Sequence, residues 1–274
     1  RTPHFLLEVL GTTFDVTVDQ TGSFLHVSSG TVDVLPKGKP DRMRFLQGQG
    51  WWLTESGRGV SVASAHLVPQ APHIDGVIDA LWANHPPHEL RHKTLPSAAN
   101  TGTLADHSSF WKAVWDEDAL YVLVEVTDDK AGYGASNAWG NDSTEIFVDA
   151  DHSRTAQLDG IDDFLIFYEP ERPFLTPGIG SVAVHPDMTH VTQRTETGFR
   201  VETRLPWASL NRAPPLPGQR IGFNVATTDH DDEPHGRERS QRTWTPKEGG
   251  DFKRSDRMGV LLLLSSSTDK DPMR

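Results

Sequence analysis

From Phe110 to Leu264 the chain keeps returning to one pattern: a short run that alternates apolar and polar side chains, stopped by glycine, proline or acidic turn residues. Successive residues of a strand point to opposite faces, so a period of two is the mark of half-buried β-strands. The runs are Phe110–Trp115, Leu120–Thr127, Ser143–Asp149, Asp163–Tyr168, Ser181–His185, Val191–Thr195, Phe199–Leu205, Arg220–Thr227, Arg239–Thr245 and Met258–Leu264. Asp116-Glu117-Asp118 and Thr197-Gly198 fall between runs and read as hairpin turns. Helical patterning is confined to Val77–Ala83, with Leu81 and Trp82 turned inward, and to Trp207–Leu210, with Pro206 in its first turn. Many short strands with almost no helix predict an all-β chain whose larger part is an antiparallel β-sandwich.

The first quarter is β-rich as well. Phe5–Leu10, Thr13–Val18, Phe24–Ser28, Thr31–Leu35 and Met43–Leu46 form a meander punctuated by Gly11, Gly22 and Gly30. Trp51 and Trp52 are adjacent in a strand, so at most one of them can face a core. Glu8-Val9-Leu10-Gly11-Thr12-Thr13-Phe14-Asp15-Val16, Leu25–Val34 and Leu46-Gln47-Gly48-Gln49-Gly50 together resemble the FecR domain, from Phe5 to about Leu53. That resemblance implies a periplasmic β-rich module whose front is missing here, with a membrane anchor expected only in the missing upstream part. The chain opens at Arg1 and is soon in strand pattern, so it reads as a piece of a longer protein. After a short strand at Val60–Ala63, Pro69-Gln70-Ala71-Pro72 breaks regular structure. The predicted domains are therefore 1–67 and 68–274, joined by an exposed segment.

Composition removes several function classes. A net charge of −12 disfavours nucleic acid and anionic membrane as partners, since both need basic patches. With no cysteine, disulfides, thiolate nucleophiles and cysteine-bound metals are excluded. The longest apolar stretch, Met258–Leu264, is strand length and too short to span a bilayer. The expected location is extracytoplasmic, periplasmic or at the cell surface.

The stretch Asn137–Asp149 carries the most chemistry. A polar loop presents Trp139, then a strand places Ile146 and Val148 on one side and Glu145 on the other. An aromatic platform beside a carboxylate suits a sugar: the ring covers C–H groups and the carboxylate accepts hydroxyl hydrogens. A tryptophan folded back as a core plug is the competing reading.

Ile74–Trp82, Val114–Leu123, Asn137–Asp149, Gly222-Phe223-Asn224-Val225, and Arg242-Thr243-Trp244 with Met258-Gly259-Val260-Leu261 follow one another as in a family 9 carbohydrate-binding module, and the chain resembles that family over about residues 72–264. The resemblance implies a non-catalytic module that binds a mono- or oligosaccharide in polysaccharide catabolism, the sugar clamped by two rings. Trp139 matches the first ring, Glu145 the neighbouring carboxylate, Trp244 a strand tryptophan of the motif, and Phe252 the position of the second ring. Phe167 and Ala226 stand where the family has an arginine and a glutamine, which makes the cleft floor more apolar and favours a deoxy- or methyl-bearing sugar. The family also implies structural calcium, with Asp128 at a matching aspartate; Asp129 adjoins it, and Asp149, Asp151, Asp159, Asp162 and Asp163 crowd nearby loops. Hard oxygen ligands suit calcium, but solvated loop carboxylates are an equally good reading.

Catalytic motifs are missing from the sequence: there is no Gly-x-Ser-x-Gly turn and no phosphate-binding glycine loop, and the acids of Asp229–Glu233 are expected to be solvated. The chain is therefore expected not to be an enzyme. His85, His88 and His92 are expected in a surface loop, because Pro86-Pro87 spoils a helix that would align them. Two alternatives to sugar binding stay open. One is a haem-binding electron-transfer module of the related sandwich group, for which Met188 and His190 are the only close pair, on one strand and unable to ligate opposite haem faces. The other is a structural or partner-binding domain with a decayed sugar site.

Overall fold

The computed structural model describes the chain apart from residues 1, 10, 21, 39–40, 96–102, 131, 137, 171–175, 179–182, 232–238, 247–252 and 267–274, and apart from the side chains of Leu95, Trp139, Thr176 and Arg239. The N-terminal strands are β1 (Phe5–Val9), β2 (Thr13–Asp19), β3 (Gly22–Ser29), β4 (Thr31–Pro36), β5 (Met43–Leu46), β6 (Gln49–Thr54) and β7 (Gly59–Leu67). Then come β8 (His88–Glu89), β9 (His92–Leu95), β10 (His107–Trp115), β11 (Ala119–Asp128), β12 (Ser143–Asp149), β13 (Asp163–Tyr168) and β14 (Thr176–Pro177). The last are β15 (Thr189–Thr195), β16 (Gly198–Pro206), β17 (Arg220–His230), β18 (Arg239–Thr243) and β19 (Gly259–Leu264).

The expected all-β sandwich is present. One path of paired strands runs β14-β13-β12-β17-β19-β7-β10-β11-β16-β15. Its two halves face each other, because side chains of β12, β13 and β17 share a core with those of β10, β11 and β16. Trp111, Trp115, Phe164, Phe223, Val201 and Ile146 are among the buried members. A second core, with Phe5, Leu25, Val34 and Trp51, lies between the small β1-β4-β5 sheet and β2-β3-β6. Trp51 is 5% exposed and Trp52 is half-buried, as the alternation requires.

The pairing is antiparallel throughout except at β7, which runs parallel to β19 (Val62↔Val260 to His66↔Leu264) and to β10 (Val114↔His66, Trp115↔Leu67). Its first half pairs with β6, so one strand changes neighbour midway. The paired sheet thus continues from the N-terminal strands into the sandwich. Phe24, Val60, Val62 and Val260 pack across the seam, and the Arg220 guanidinium lies 4.3 Å from the Phe24 ring centroid. Pro69 and Gln70 are exposed, whereas Pro72 is buried.

Several local expectations shift. The strand expected over Ser181–His185 is not formed at 183–185, where a turn follows; residues 181 and 182 lie outside the described part. The helix expected at Val77–Ala83 is a single 3-10 turn over Ala80–Asn84, with Trp82 buried and Val77 exposed. Ile74, Leu81 and Trp82 cover the outer face of β10 and β11, and one short turn suffices for that. Trp207 caps a second 3-10 turn at Ala208–Leu210, and Pro206 ends β16 instead of entering it.

Candidate functional site

The neighbouring strands β13, β12 and β17 present one face away from the main core. Glu145 pairs with Phe167 on one side and Ala226 on the other, and Phe147 pairs with Leu165 and Asn224. Ile146 and Val148, the residues between, belong to the main core, so the alternation places Glu145 as expected. Glu145 is nevertheless buried, at 4% exposure. Its Oε1 accepts hydrogen bonds from Thr228 Oγ1 at 3.1 Å and from Gln241 Nε2 at 2.6 Å, while Oε2 accepts none among the described residues.

Phe167 is buried in a small apolar cluster with Ala138, Phe147, Leu165, Ala226 and Met258. It is thus packed beneath the loop that carries Trp139. Trp139 itself sits in the 3-10 turn Ala138–Gly140, its side chain outside the described part. Phe252 lies outside the described residues. Trp244 does not join this face. Along β18 and just beyond, Gln241 and Thr243 point toward Glu145's side, so Trp244 points the other way. It is buried in the main core, its ring 5.0 Å from Trp111 and 6.2 Å from His88. It is a structural residue and not a sugar wall.

The Trp139 loop is fastened at both ends. Asp142 accepts from Gly132 N at 2.6 Å and His230 N at 2.9 Å. Asn141 accepts from Ala135 N at 2.9 Å and donates to Ala135 O and to Glu169 Oε2. A cavity of about 200 Å³ opens beside the loop, lined in part by Tyr133, Asn141, Glu169 and Arg194. Gly132 admits no side chain, because a Cβ there would lie 1.5 Å from His230 O. Gly132→Ala is therefore expected to displace the loop and lower the melting temperature, which a thermal melt checks.

At the same end of the sandwich, carboxylates converge. Asp128, Asp129 and Asp231 offer oxygens within 4.8 Å of one another, and so do Asp106, Asp229 and Asp231. At the opposite end of β12, the loop acids Asp149, Asp151 and Asp162 form a third such group. Asp106 Oδ2, Asp128 Oδ2, Asp229 Oδ1 and Asp231 Oδ1 are buried with no hydrogen-bond partner among the described residues. Arg194 lies 3.7 Å from Asp128 and 3.8 Å from Asp142. Burial, then the Asp231 charge, pushes Asp229 up to about 8. Burial, then Asp128, pushes Asp142 up to about 8. Buried carboxylate oxygens that lack donors and repel one another fit a divalent cation. Asp229 was expected to be solvated. It is 2% exposed, because β17 continues to His230 and carries it inside the sheet.

Histidines are also more buried than expected. His85 and His88 are covered, not in a surface loop: His88 sits in β8, and its ring lies 4.6 Å from that of Trp111. His107 bridges Ser240 Oγ at 2.5 Å and Thr227 Oγ1 at 2.9 Å. Met188 is buried in the main core and the His190 ring packs 5.6 Å from Tyr168, so the pair offered by a haem reading is taken up in packing.

A family model for carbohydrate family 9 binding domain-like sequences matches residues 74–266. The chain belongs to that family. The chain is 30% identical over 204 residues to endo-1,4-beta-xylanase A of Thermoanaerobacterium saccharolyticum, covering 74% of this chain and 16% of that protein. It is 30% identical over 193 residues to exoglucanase XynX of Acetivibrio thermocellus, covering 70% of this chain and 16% of that protein. The chain thus spans about a sixth of the length of these relatives. A family 9 carbohydrate-binding module from Caldicellulosiruptor kristjanssonii, solved with cellotriose, shares the fold at a TM-score of 0.63 and 23% identity, over 77% of this chain and 99% of that one. A family 9 module from the same organism, solved with glucose, gives 0.61 and 23%, over 76% and 100%. No helix among the described residues is long and apolar enough to cross a membrane.

Proposed function

We propose that this chain is a non-catalytic carbohydrate-binding module of a bacterial cell-surface or periplasmic protein, and that it holds the end of a mono- or oligosaccharide at the loop bearing Trp139. The observation that carries the reading is Glu145: a carboxylate with one oxygen held by two donors and the other given none by the described residues, on the face beneath that loop, in a family 9 fold. Trp139 and Phe252 supply the walls and Phe167 the apolar floor. The modules from Caldicellulosiruptor kristjanssonii, solved with cellotriose and with glucose, set the class of ligand to try. The xylanase and exoglucanase relatives suggest that any catalysis belongs to other domains of a longer protein. The resemblance of residues 5–53 to a FecR domain in sequence supports an extracytoplasmic location. A structural calcium ion at Asp128 and Asp129 completes the proposal, with Asp231, Asp229 and Asp106 as further oxygen donors.

Phe167 and Ala226 remove two polar partners for hydroxyl groups. Each net hydrogen bond is worth about 0.5–1.5 kcal/mol, so the pair costs roughly tenfold to a hundredfold in affinity. Calorimetry is expected to show millimolar or weaker binding of cellobiose, stronger binding of a 6-deoxyhexose, and no binding by Trp139→Ala. Micromolar cellobiose binding, or binding indifferent to Trp139, overturns the assignment.

A further inference from the structure

Gln241 was not singled out by the sequence, yet it touches the one carboxylate that matters most. It lies on β18, opposite Thr228 of β17. Its Nε2 donates to Glu145 Oε1 at 2.6 Å and lies 3.3 Å from Thr228 Oγ1. Its Oε1 accepts from Thr94 Oγ1 at 2.6 Å, so β9 fixes which way the amide points. A donor aimed at one oxygen of a carboxylate holds the group's rotamer and leaves the other oxygen with its acceptor capacity intact. Thr228 donates to that same Oε1. Both donors therefore converge on one oxygen, and no described residue donates to Oε2.

We infer that Gln241 is a positioning residue of the sugar site: clamped by Thr94, it aims Glu145 Oε2 at a hydroxyl of the bound sugar. The inference rests on the carbohydrate-binding reading and deepens it. It also explains how the site works with Ala226 beside Glu145 on β17, since the amide arrives from the next strand, β18. Gln241 touches the carboxylate and not the sugar.

A double-mutant cycle on the full chain separates this role from a packing role. Gln241→Met keeps the side-chain volume and removes both donors; Gln241→Ala is the second variant. Glucose, cellobiose and a 6-deoxyhexose are titrated into each by calorimetry, with a thermal melt alongside. Gln241→Met is expected to weaken the best ligand about five- to tenfold, as for the loss of one hydrogen bond. In a Glu145→Ala background neither Gln241 variant is expected to weaken binding further. A loss that persists undiminished in that background, or affinity that merely follows the melting temperature, overturns the positioning role. Unchanged affinity in Gln241→Met overturns it as well, while leaving the sugar-binding reading intact. A wild-type chain that binds none of the three sugars overturns both.

Discussion

A chain begun at residue 68 is expected to lose the cooperative melting transition that a chain begun at residue 59 retains. The family 9 match starts at residue 74, and the proline segment at 69–72 looks like a natural place to cut. But β7 ends at Leu67, and it is the strand that closes the sandwich between β19 and β10. Its removal leaves two unpaired strand edges at the bend of the molecule, which invites aggregation. It also takes Ala63 and Ala65 out of the main core, and it strips the Trp115 Nε1 hydrogen bond to Ala65 O. Val62 pairs with Val260 of β19 and packs against it, a contact that a chain begun at residue 59 keeps and one begun at residue 68 loses, and a whole domain has a typical stability of only about 5–15 kcal/mol. Thermal melts followed by circular dichroism decide the matter: equal transitions for the two chains would show that β7 is dispensable.

The second large effect expected is a dependence of stability on pH that the proposed calcium ion would flatten. Without a cation, Asp142 and Asp229 titrate near 8 in the folded state, because burial disfavours their charges. Unfolded, an aspartate titrates near 3.9. Between those values the folded chain keeps protons that the unfolded chain releases, so stability falls as pH rises. Histidines oppose this lower down. Burial pushes His88 and His107 down to about 3, and His26 and His85 down to about 4, so their contribution grows with pH until the unfolded value near 6.5. Above that, only the carboxyl groups remain. From about pH 6.5 to pH 8 the cation-free chain is expected to lose on the order of 2 kcal/mol, or about 5 °C of melting temperature. Calcium is expected to raise the melting temperature and flatten this decline, since it binds carboxylates only when they are ionised. Melting curves that stay the same in excess chelator at pH 8 would leave the aspartates as buried acids that hold no metal.

Much of this protein is written locally. Ser143–Asp149 and Asp163–Tyr168 form strands with the bounds their alternation sets, and Ile146 and Val148 face the core while Glu145 faces away. That is possible because a strand's two faces follow from a period of two, which each run carries by itself. The order of family 9 motifs is likewise in the sequence, and with it the sandwich. What the chain cannot state locally is which strands become neighbours. Gln241 meets Glu145 across 96 residues, through a register that pairs β18 with β17 and β17 with β12. Asp229 reads as a loop acid until β17 proves long enough to bury it beside Asp231 and Asp106. Trp244 belongs to the sugar motif by position, yet one residue of alternation past Thr243 turns it into the core. Val60–Ala63 reads as a short strand before a joint; only the parallel pairing with β19 makes it part of the sandwich. Local pattern determines which face a side chain takes. Long-range register decides what it touches there, and both the binding chemistry and the carboxylate cluster depend on those contacts.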